Sequence, residues 1–233
     1  MRLTRYGSRE IALGIAAFAV LASVSLLLCR HYGSAWFLSP LAVLVPLFGW
    51  LLWFFRDPER TIPDAPGCIV SPADGVVTHL DEWYEPEFIG GRARRLSIFL
   101  SVFDVHLNRA PAAGVVKFLK FRPGAFFDAR REEALAKNQN QDLGLLVDEP
   151  GLPGKMLIRQ STGAIARNIV CPIGINRRLA RGERYGMIKF GSRTTLFVSG
   201  EVGIEWLVKI GDTVRAGETA VARTGGTAGG NTP

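Results

Sequence analysis

A serine hydroxyl becomes a working nucleophile only when a base takes its proton, and the usual arrangement is a histidine oriented by a carboxylate. This chain of 233 residues has three histidines from which to choose. His31 falls between two long apolar runs, His79 sits on a β-branched stretch as an ordinary half-buried residue would, and His106 lies in Val105-His-Leu-Asn-Arg-Ala-Pro111. Gly-Ser pairs occur at Gly7-Ser8, Gly33-Ser34 and Gly191-Ser192, and the dipeptide alone reads as a turn or a flexible joint. Asp74, in Ser71-Pro-Ala-Asp-Gly75, is an available carboxylate and equally a plain turn aspartate before glycine. Cys29, Cys68 and Cys171 make no CxxC or other metal spacing, and no pyridoxal phosphate lysine motif is visible. An odd cysteine count also argues against a disulfide framework and fits a reducing compartment.

The elements that must carry these residues divide into an apolar beginning and a longer mixed remainder. Ile11 to Cys29 holds no charge, and its nineteen residues span ~28 Å as a helix, close to the ~30 Å hydrocarbon core of a bilayer. A second uncharged run, Ala35 to Phe55, follows at once; Pro40 and Pro46 kink it or delay its start, and Trp50 and Trp53 suit an interfacial end. A cleaved signal peptide fits less well, because the first run exceeds a signal core of ~7–15 residues and a second apolar segment succeeds it. A spanning hairpin and one dipping into a single leaflet both remain open. Arg2, Arg5 and Arg9 precede the first run, Arg30 alone lies in the connector, and Arg56 and Arg60 follow the second, so both ends are expected in the cytoplasm at the cell membrane.

The formal net charge is +7, but the basic residues are scattered and no nucleic-acid motif accompanies them. An anionic membrane surface accounts for the charge better, through groups such as Arg92, Arg94 and Arg95 or Arg177, Arg178, Arg181 and Arg184, although any single one of them reads more readily as part of a solvated face or strand edge. The expected layout is a membrane-anchoring hairpin over 1–60, a domain over 61–225 and a disordered tail over 226–233. Within the domain, β-branched runs punctuated by Gly and Pro predict short strands at Cys68-Ile-Val, Gly75-Val-Val-Thr-His, Leu96-Ser-Ile-Phe-Leu, Gly114-Val-Val-Lys-Phe and Thr194-Thr-Leu-Phe-Val. One helix is predicted over Asp128–Lys137, ended by the polar loop Asn138–Asp142. The fold class is therefore mainly β, a β-rich α+β domain behind a helical hairpin.

Val208-Lys-Ile-Gly-Asp-Thr-Val-Arg-Ala-Gly-Glu-Thr219 resembles the Gly-Asp-x-Val-x-x-Gly hairpin of lipoyl and biotinyl carrier domains. A carrier displays a lysine at the hairpin tip, and neither Lys189 nor Lys209 has the right neighbours, so the likeness is one of barrel architecture. Four other segments share a single likeness: Phe54-Phe-Arg-Asp-Pro-Glu-Arg60, Ser71-Pro-Ala-Asp-Gly75, Asp104-Val-His-Leu-Asn-Arg-Ala-Pro111 and Arg181-Gly-Glu-Arg-Tyr-Gly-Met-Ile-Lys-Phe-Gly-Ser-Arg193. In this order they resemble the short-form phosphatidylserine decarboxylases, over most of the chain from about residue 50 to 225.

That resemblance implies a pyruvoyl enzyme that makes its own cofactor at Gly191-Ser192. The Ser192 hydroxyl attacks the Gly191 carbonyl, elimination cuts the chain into a large piece 1–191 and a small piece 192–233, and position 192 becomes a pyruvoyl group. Gly191, without a side chain, suits the strained backbone and close approach of the attack. The pyruvoyl carbonyl then forms a Schiff base with phosphatidylserine and releases phosphatidylethanolamine and carbon dioxide. On this likeness His106 is the base and acid and Asp74 its carboxylate. Arg109 stands where longer family members have a second histidine; it suits a substrate carboxylate or phosphate, and equally a structural salt bridge. Phe126 and Phe127, in Pro123-Gly-Ala-Phe-Phe-Asp-Ala129, resemble the substrate entrance and either meet lipid or pack inward. Gln160-Ser-Thr-Gly-Ala-Ile-Ala-Arg167 resembles a stretch near the pyruvoyl pocket and receives no catalytic role. The partners implied are the lipid, the membrane and the two halves of the chain, with further oligomerisation open; no metal is implied. The chemistry leaves room for another serine-headed lipid, such as an archaeal ether lipid, and an uncut chain would be a membrane-anchored binding protein instead.

Overall fold

The computed structural model describes residues 2–189, 191–200 and 203–224, so the expected disordered tail over 226–233 lies outside the described residues. The chain forms two compact units, one up to Pro58 and one from Glu59 onward. In the first, helix α1 (Ser8–Tyr32) ends at Gly33, whose φ of 65° is the left-handed stop that glycine makes cheaply. Helix α2 (Leu41–Phe54) begins directly after Pro40, whose fixed φ suits a helix start, and carries Pro46 inside it. Gly14 lets the Leu51 side chain approach, since a Cβ there would lie 2.3 Å from it, and Phe18 stacks on Phe48 at 4.7 Å. Leu13, Val20, Leu27, Val43 and Leu47 point outward and exposed, an apolar surface of the kind a bilayer covers. Two segments, Arg5–Tyr32 and Ala35–Phe54, are long and apolar enough to cross a membrane.

The second unit is mainly β. Its strands are β1 (Cys68–Val70), β2 (Gly75–Glu85), β3 (Gly91–Leu100), β4 (Leu107–Arg109), β5 (Gly114–Arg122), β6 (Asn140–Val147) and β7 (Lys155–Thr162). There follow β8 (Asn168–Val170), β9 (Arg178–Leu179), β10 (Arg184–Lys189), β11 (Ser192–Ser199), β12 (Ile204–Trp206), β13 (Thr213–Val214) and β14 (Ala220–Thr224). Eight of them make one curled antiparallel sheet in the order β13-β2-β3-β11-β7-β6-β5-β9, with smaller sheets β1-β14-β12 and β4-β10-β8. One face of the large sheet is apolar: Leu96, Ile98, Leu100, Leu143, Ile158, Leu196 and Val198 bury themselves with Ile69, Tyr185 and Val221 from the smaller sheets.

The carrier-like hairpin over 208–219 pairs with the 71–77 segment. Val77 N–H donates to the Asp212 carbonyl and Gly211 N–H to that of Val77, both at 2.9 Å, and Ser71 exchanges bonds with Thr219 and Gly217 at 2.8 Å. Gly75 is needed at this crossing, because a Cβ at its φ of 141° would sit 2.1 Å from the Phe99 carbonyl oxygen.

Two expectations are corrected. Only Glu133–Lys137 of the predicted helix over 128–137 is helical, as α3. Asp128 diverts the start of that stretch: its carboxylate takes the Arg130 N–H at 3.0 Å and its carbonyl the Arg131 N–H at 3.0 Å, making a turn instead. The polar run 138–142 is not all loop, for β6 begins at Asn140. Its most polar member, Asp142, is fully buried because Arg159 (2.7 and 2.9 Å) and Arg122 both pair with it.

Candidate active site

Gly191 and Ser192 stand at the entry to β11, the strand held on both sides by β3 and β7, with Ser192 opposite Leu100 and Thr162. Gly191 has a φ of 65°, so the turn into the strand uses the left-handed region that glycine enters freely. The Gly191 N–H donates to His106 Nε2 at 3.1 Å, and His106 Nδ1 faces the Asp104 carbonyl oxygen at 3.0 Å. An amide N–H only donates and a carbonyl only accepts, so this pair of bonds requires a neutral imidazole with its proton on Nδ1. Asp104 is itself anchored, its carboxylate taking both the N–H and the hydroxyl of Ser101 at 2.7 Å. The ring is thereby fixed in tautomer and direction, and it is completely buried.

Ser192 is also completely buried, and its Oγ has no hydrogen-bond partner among the described residues. A buried hydroxyl left unpaired costs about 1–3 kcal/mol, so the site holds this oxygen at a cost that its surroundings elsewhere offset. On the other side of the peptide, a Cβ on Gly163 would lie 2.5 Å from the Gly191 carbonyl oxygen and 3.2 Å from the Ala129 Cβ. Glycine is therefore the residue that lets the 163 backbone close over that carbonyl. One step further along the serine-bearing face, Asn108 Nδ2 donates to Thr194 Oγ1 at 2.9 Å and Gln160 Nε2 to Asn108 Oδ1 at 2.8 Å, all three residues being fully buried. These bonds tie β4, β7 and β11 together beneath the Gly191-Ser192 peptide.

A pocket of about 320 Å³ opens at Gly191, walled by Phe99, Val102, Asp128, Arg130, Gly163 and Ile165 among others. The Gln160–Arg167 segment, for which no catalytic role was expected, thus supplies part of its wall. Asp128 lies in the 123–129 segment likened to the substrate entrance, yet neither it nor Arg130 was singled out, because both read as members of the helix over 128–137.

Other expected residues lie apart from this arrangement. The Asp74 carboxylate was expected to orient His106, but its oxygens take the Ala216 N–H at 2.8 Å and the Arg60 guanidinium at 2.7 Å. Burial pushes its pKa above the usual carboxylate value; the Ala216 bond and Arg60 oppose that shift, and Asp104 adds to it. The orienting acceptor on His106 is a main-chain carbonyl two residues away, which a search for carboxylates does not find. Arg109 is buried, donating through Nη1 to the Gly182 carbonyl at 2.9 Å, and does not line the pocket. Phe126 and Phe127 directly precede the pocket residue Asp128 but do not line the pocket: Arg167 lies over Phe126 at 4.9 Å and Lys137 over Phe127 at 5.9 Å.

His79 belongs to the opposite face of the sheet. Its Nε2 meets Glu132 at 3.0 Å, and the same carboxylate faces the fully buried Arg193 at 3.8 Å. Side chains alternate along β11, so Arg193 points away from the face that Ser192 joins. His31 lies in the last turn of α1, in the other unit.

Comparison with known proteins agrees with this geometry in where it falls. The family model described as phosphatidylserine decarboxylase matches residues 47–222, a span that contains every residue of the site. A phosphatidylserine decarboxylase proenzyme of Symbiobacterium thermophilum is 46% identical over 182 residues, 78% of this chain and 82% of the relative. One from Rhodopirellula baltica is 43% identical over 91% of this chain and 87% of its own length, and one from Chlorobium luteolum 37% identical over 95% and 99%. With likeness of that depth running nearly end to end, this chain belongs to the phosphatidylserine decarboxylase family.

Proposed function

We propose that the chain is a membrane-associated proenzyme that cuts itself between Gly191 and Ser192 and then decarboxylates phosphatidylserine to phosphatidylethanolamine. The observation that carries this reading is the buried Ser192 Oγ, without a partner among the described residues, beside a left-handed Gly191 whose N–H rests on His106. Ser192 Oγ attacks the Gly191 carbonyl carbon, and the C–N bond to Ser192 gives way to an ester. His106 Nε2 is the lone pair at hand for the hydroxyl proton once it releases the Gly191 N–H, and the Asp104 carbonyl stabilises the proton that remains on Nδ1. Loss of the Ser192 α-proton then breaks the ester C–O bond. Gly191 leaves as a carboxylate, and water converts the dehydroalanine to a pyruvoyl group with release of ammonia.

The residues fit that cofactor: position 192 lies beside the pocket that Gly191 lines, with Gly163 and His106 around the cut peptide. When formed, the pyruvoyl carbonyl supplies the electron sink that decarboxylation needs. His106, buried and fixed by Asp104, is the group placed to hold and return a proton there. Both products of the cut stay together, because β11 of the small chain is paired along its length with β3 and β7 of the large one. Asp74 adds a tie across the cut through its bond to the Ala216 N–H. The two apolar segments of the first unit anchor the protein at the cytoplasmic membrane with the domain in the cytoplasm, the side where basic residues flank them.

Intact mass spectrometry of the purified chain tests the reading, with and without borohydride and phosphatidylserine. The expected result is two chains split after Gly191, the smaller lacking a free amino terminus and gaining the lipid's mass on reduction. A single 25.5 kDa chain with an ordinary serine would instead mark an uncut binding protein.

A further inference from the structure

We infer that Arg130 is the headgroup receptor of the pocket, a guanidinium that takes the substrate's phosphodiester. The inference rests on the proposed function above. Among the described residues lining the pocket at Gly191, Arg130 is the one cation and its ion-pair partner Asp128 the one carboxylate, while Phe99, Val102, Ala129 and Ile165 offer an anion nothing. The phosphorus of a phosphoserine headgroup lies four bonds from the amine nitrogen that must reach position 192. A receptor for it therefore has to stand in the same small pocket.

Arg130 is built for such a task. Its Nε lies 3.1 Å from both oxygens of Asp128 and its Nη2 2.6 Å from Oδ2, while Nη1 has no partner among the described residues. Asp128 thus orients the fork and leaves one edge free, and the guanidinium lies over the Phe99 ring at 5.8 Å. An ion pair this exposed contributes little stability in itself, so structure alone gives weak reason for the arrangement. The backbone beneath it is firm, because the buried Arg193 donates through Nη2 to the Arg130 carbonyl at 3.0 Å. The residue directly after the serine therefore holds the receptor's main chain, coupling the position of the phosphate site to that of the reacting group. Arg130 takes the substrate-binding role expected of Arg109, whose guanidinium is buried on Gly182 instead.

The test uses the matured full-length protein turning over phosphatidylserine in detergent micelles, with two soluble competitors. Glycerophosphoethanolamine carries the phosphodiester and ethanolamine does not. In the wild type the first should compete about tenfold or more better than the second, as expected of a charge-assisted bond. R130Q should erase that difference, and R130K restore part of it. The inference is overturned if the two competitors are equal in the wild type, or if their difference survives in R130Q; a merely structural role for Arg130 gives the latter result. Failure of the wild type to cut itself or to turn over phosphatidylserine would instead sink the proposed function.

Discussion

The two faces of β11 solve opposite problems with adjacent residues. Ser192 turns toward the core, where its hydroxyl has no partner among the described residues while Asn108, Thr194 and Gln160 beside it bond to one another. Arg193 turns the other way into a field of charge, near Glu132, which also meets His79 and Arg95, while Arg95 pairs with Asp81. Across the same face, Asp142 gathers Arg159 and Arg122. Labour is thereby divided between them. The ionic face fastens the 128–133 segment over the sheet, and the core face buries one hydroxyl that has no partner among the described residues.

The largest effect should come from removing that hydroxyl. S192A is expected to leave one uncut chain with no decarboxylation, and residual turnover in a verified uncut sample would sink the pyruvoyl mechanism. H106A should come next. Maturation, followed by gel densitometry, should slow by a hundredfold or more if the imidazole is the base, a typical general-base contribution of ~10²–10⁴. Cutting at the wild-type rate would move that role elsewhere. G163A removes neither group and presses chiefly on the carbonyl under attack, because its Cβ would lie 2.5 Å from the Gly191 oxygen, against 3.2 Å from the Ala129 Cβ. Uncut precursor should accumulate with a loss of about 1–3 kcal/mol in stability, the usual cost of overpacking. Normal maturation of G163A would show that the carbonyl has room to move.

On the ionic face, by contrast, substitution should change stability more than chemistry. D142A strands Arg159 and Arg122 without their buried carboxylate, and breaking a buried pair costs roughly 3–5 kcal/mol, with the exposed sides of the two arginines pulling toward the lower end. Chemical denaturation should register that loss while the fraction of chain cut at 25 °C stays near that of the wild type. Equal damage to cutting would erase the contrast between the faces.

Much of the scaffold was legible because strands advertise themselves by β-branched runs, and β1, β2, β3, β5 and β11 all contain the stretches so expected. Gly191, Ser192 and His106 were legible because their motifs resemble a family and because histidine is scarce. The supporting residues were not. Asp104 acts through its carbonyl, which no side-chain pattern reveals, and Asp74 was diverted by Arg60 from another segment. The Asp128–Lys137 stretch has helical composition, yet a local side-chain bond and the distant Arg193 hold its first residues in a turn. Long-range pairing of that kind, like the burial of Asp142, is decided by what arrives from elsewhere in the chain.

The smallest expected effect concerns pH and isolates the ionic face again. Burial holds the His79 pKa below its ordinary value, and the positive charges of Arg193 and Arg95 add to this while Glu132 and Asp81 oppose it. A group whose folded pKa is depressed in this way binds fewer protons in the folded chain than in the unfolded one, between its folded pKa and the unfolded value of about 6.5. Stability therefore falls as pH drops through that window and levels off below it. In H79Q the uncharged amide can still meet Glu132, so the melting temperature should lose less between pH 7 and pH 5 than in the wild type. A wild-type slope that survives in H79Q would assign the acid sensitivity to other groups. His106 sits on the other face, bonded to the backbone at both nitrogens, so the measurement is best made on S192A protein, where maturation does not blur the transition.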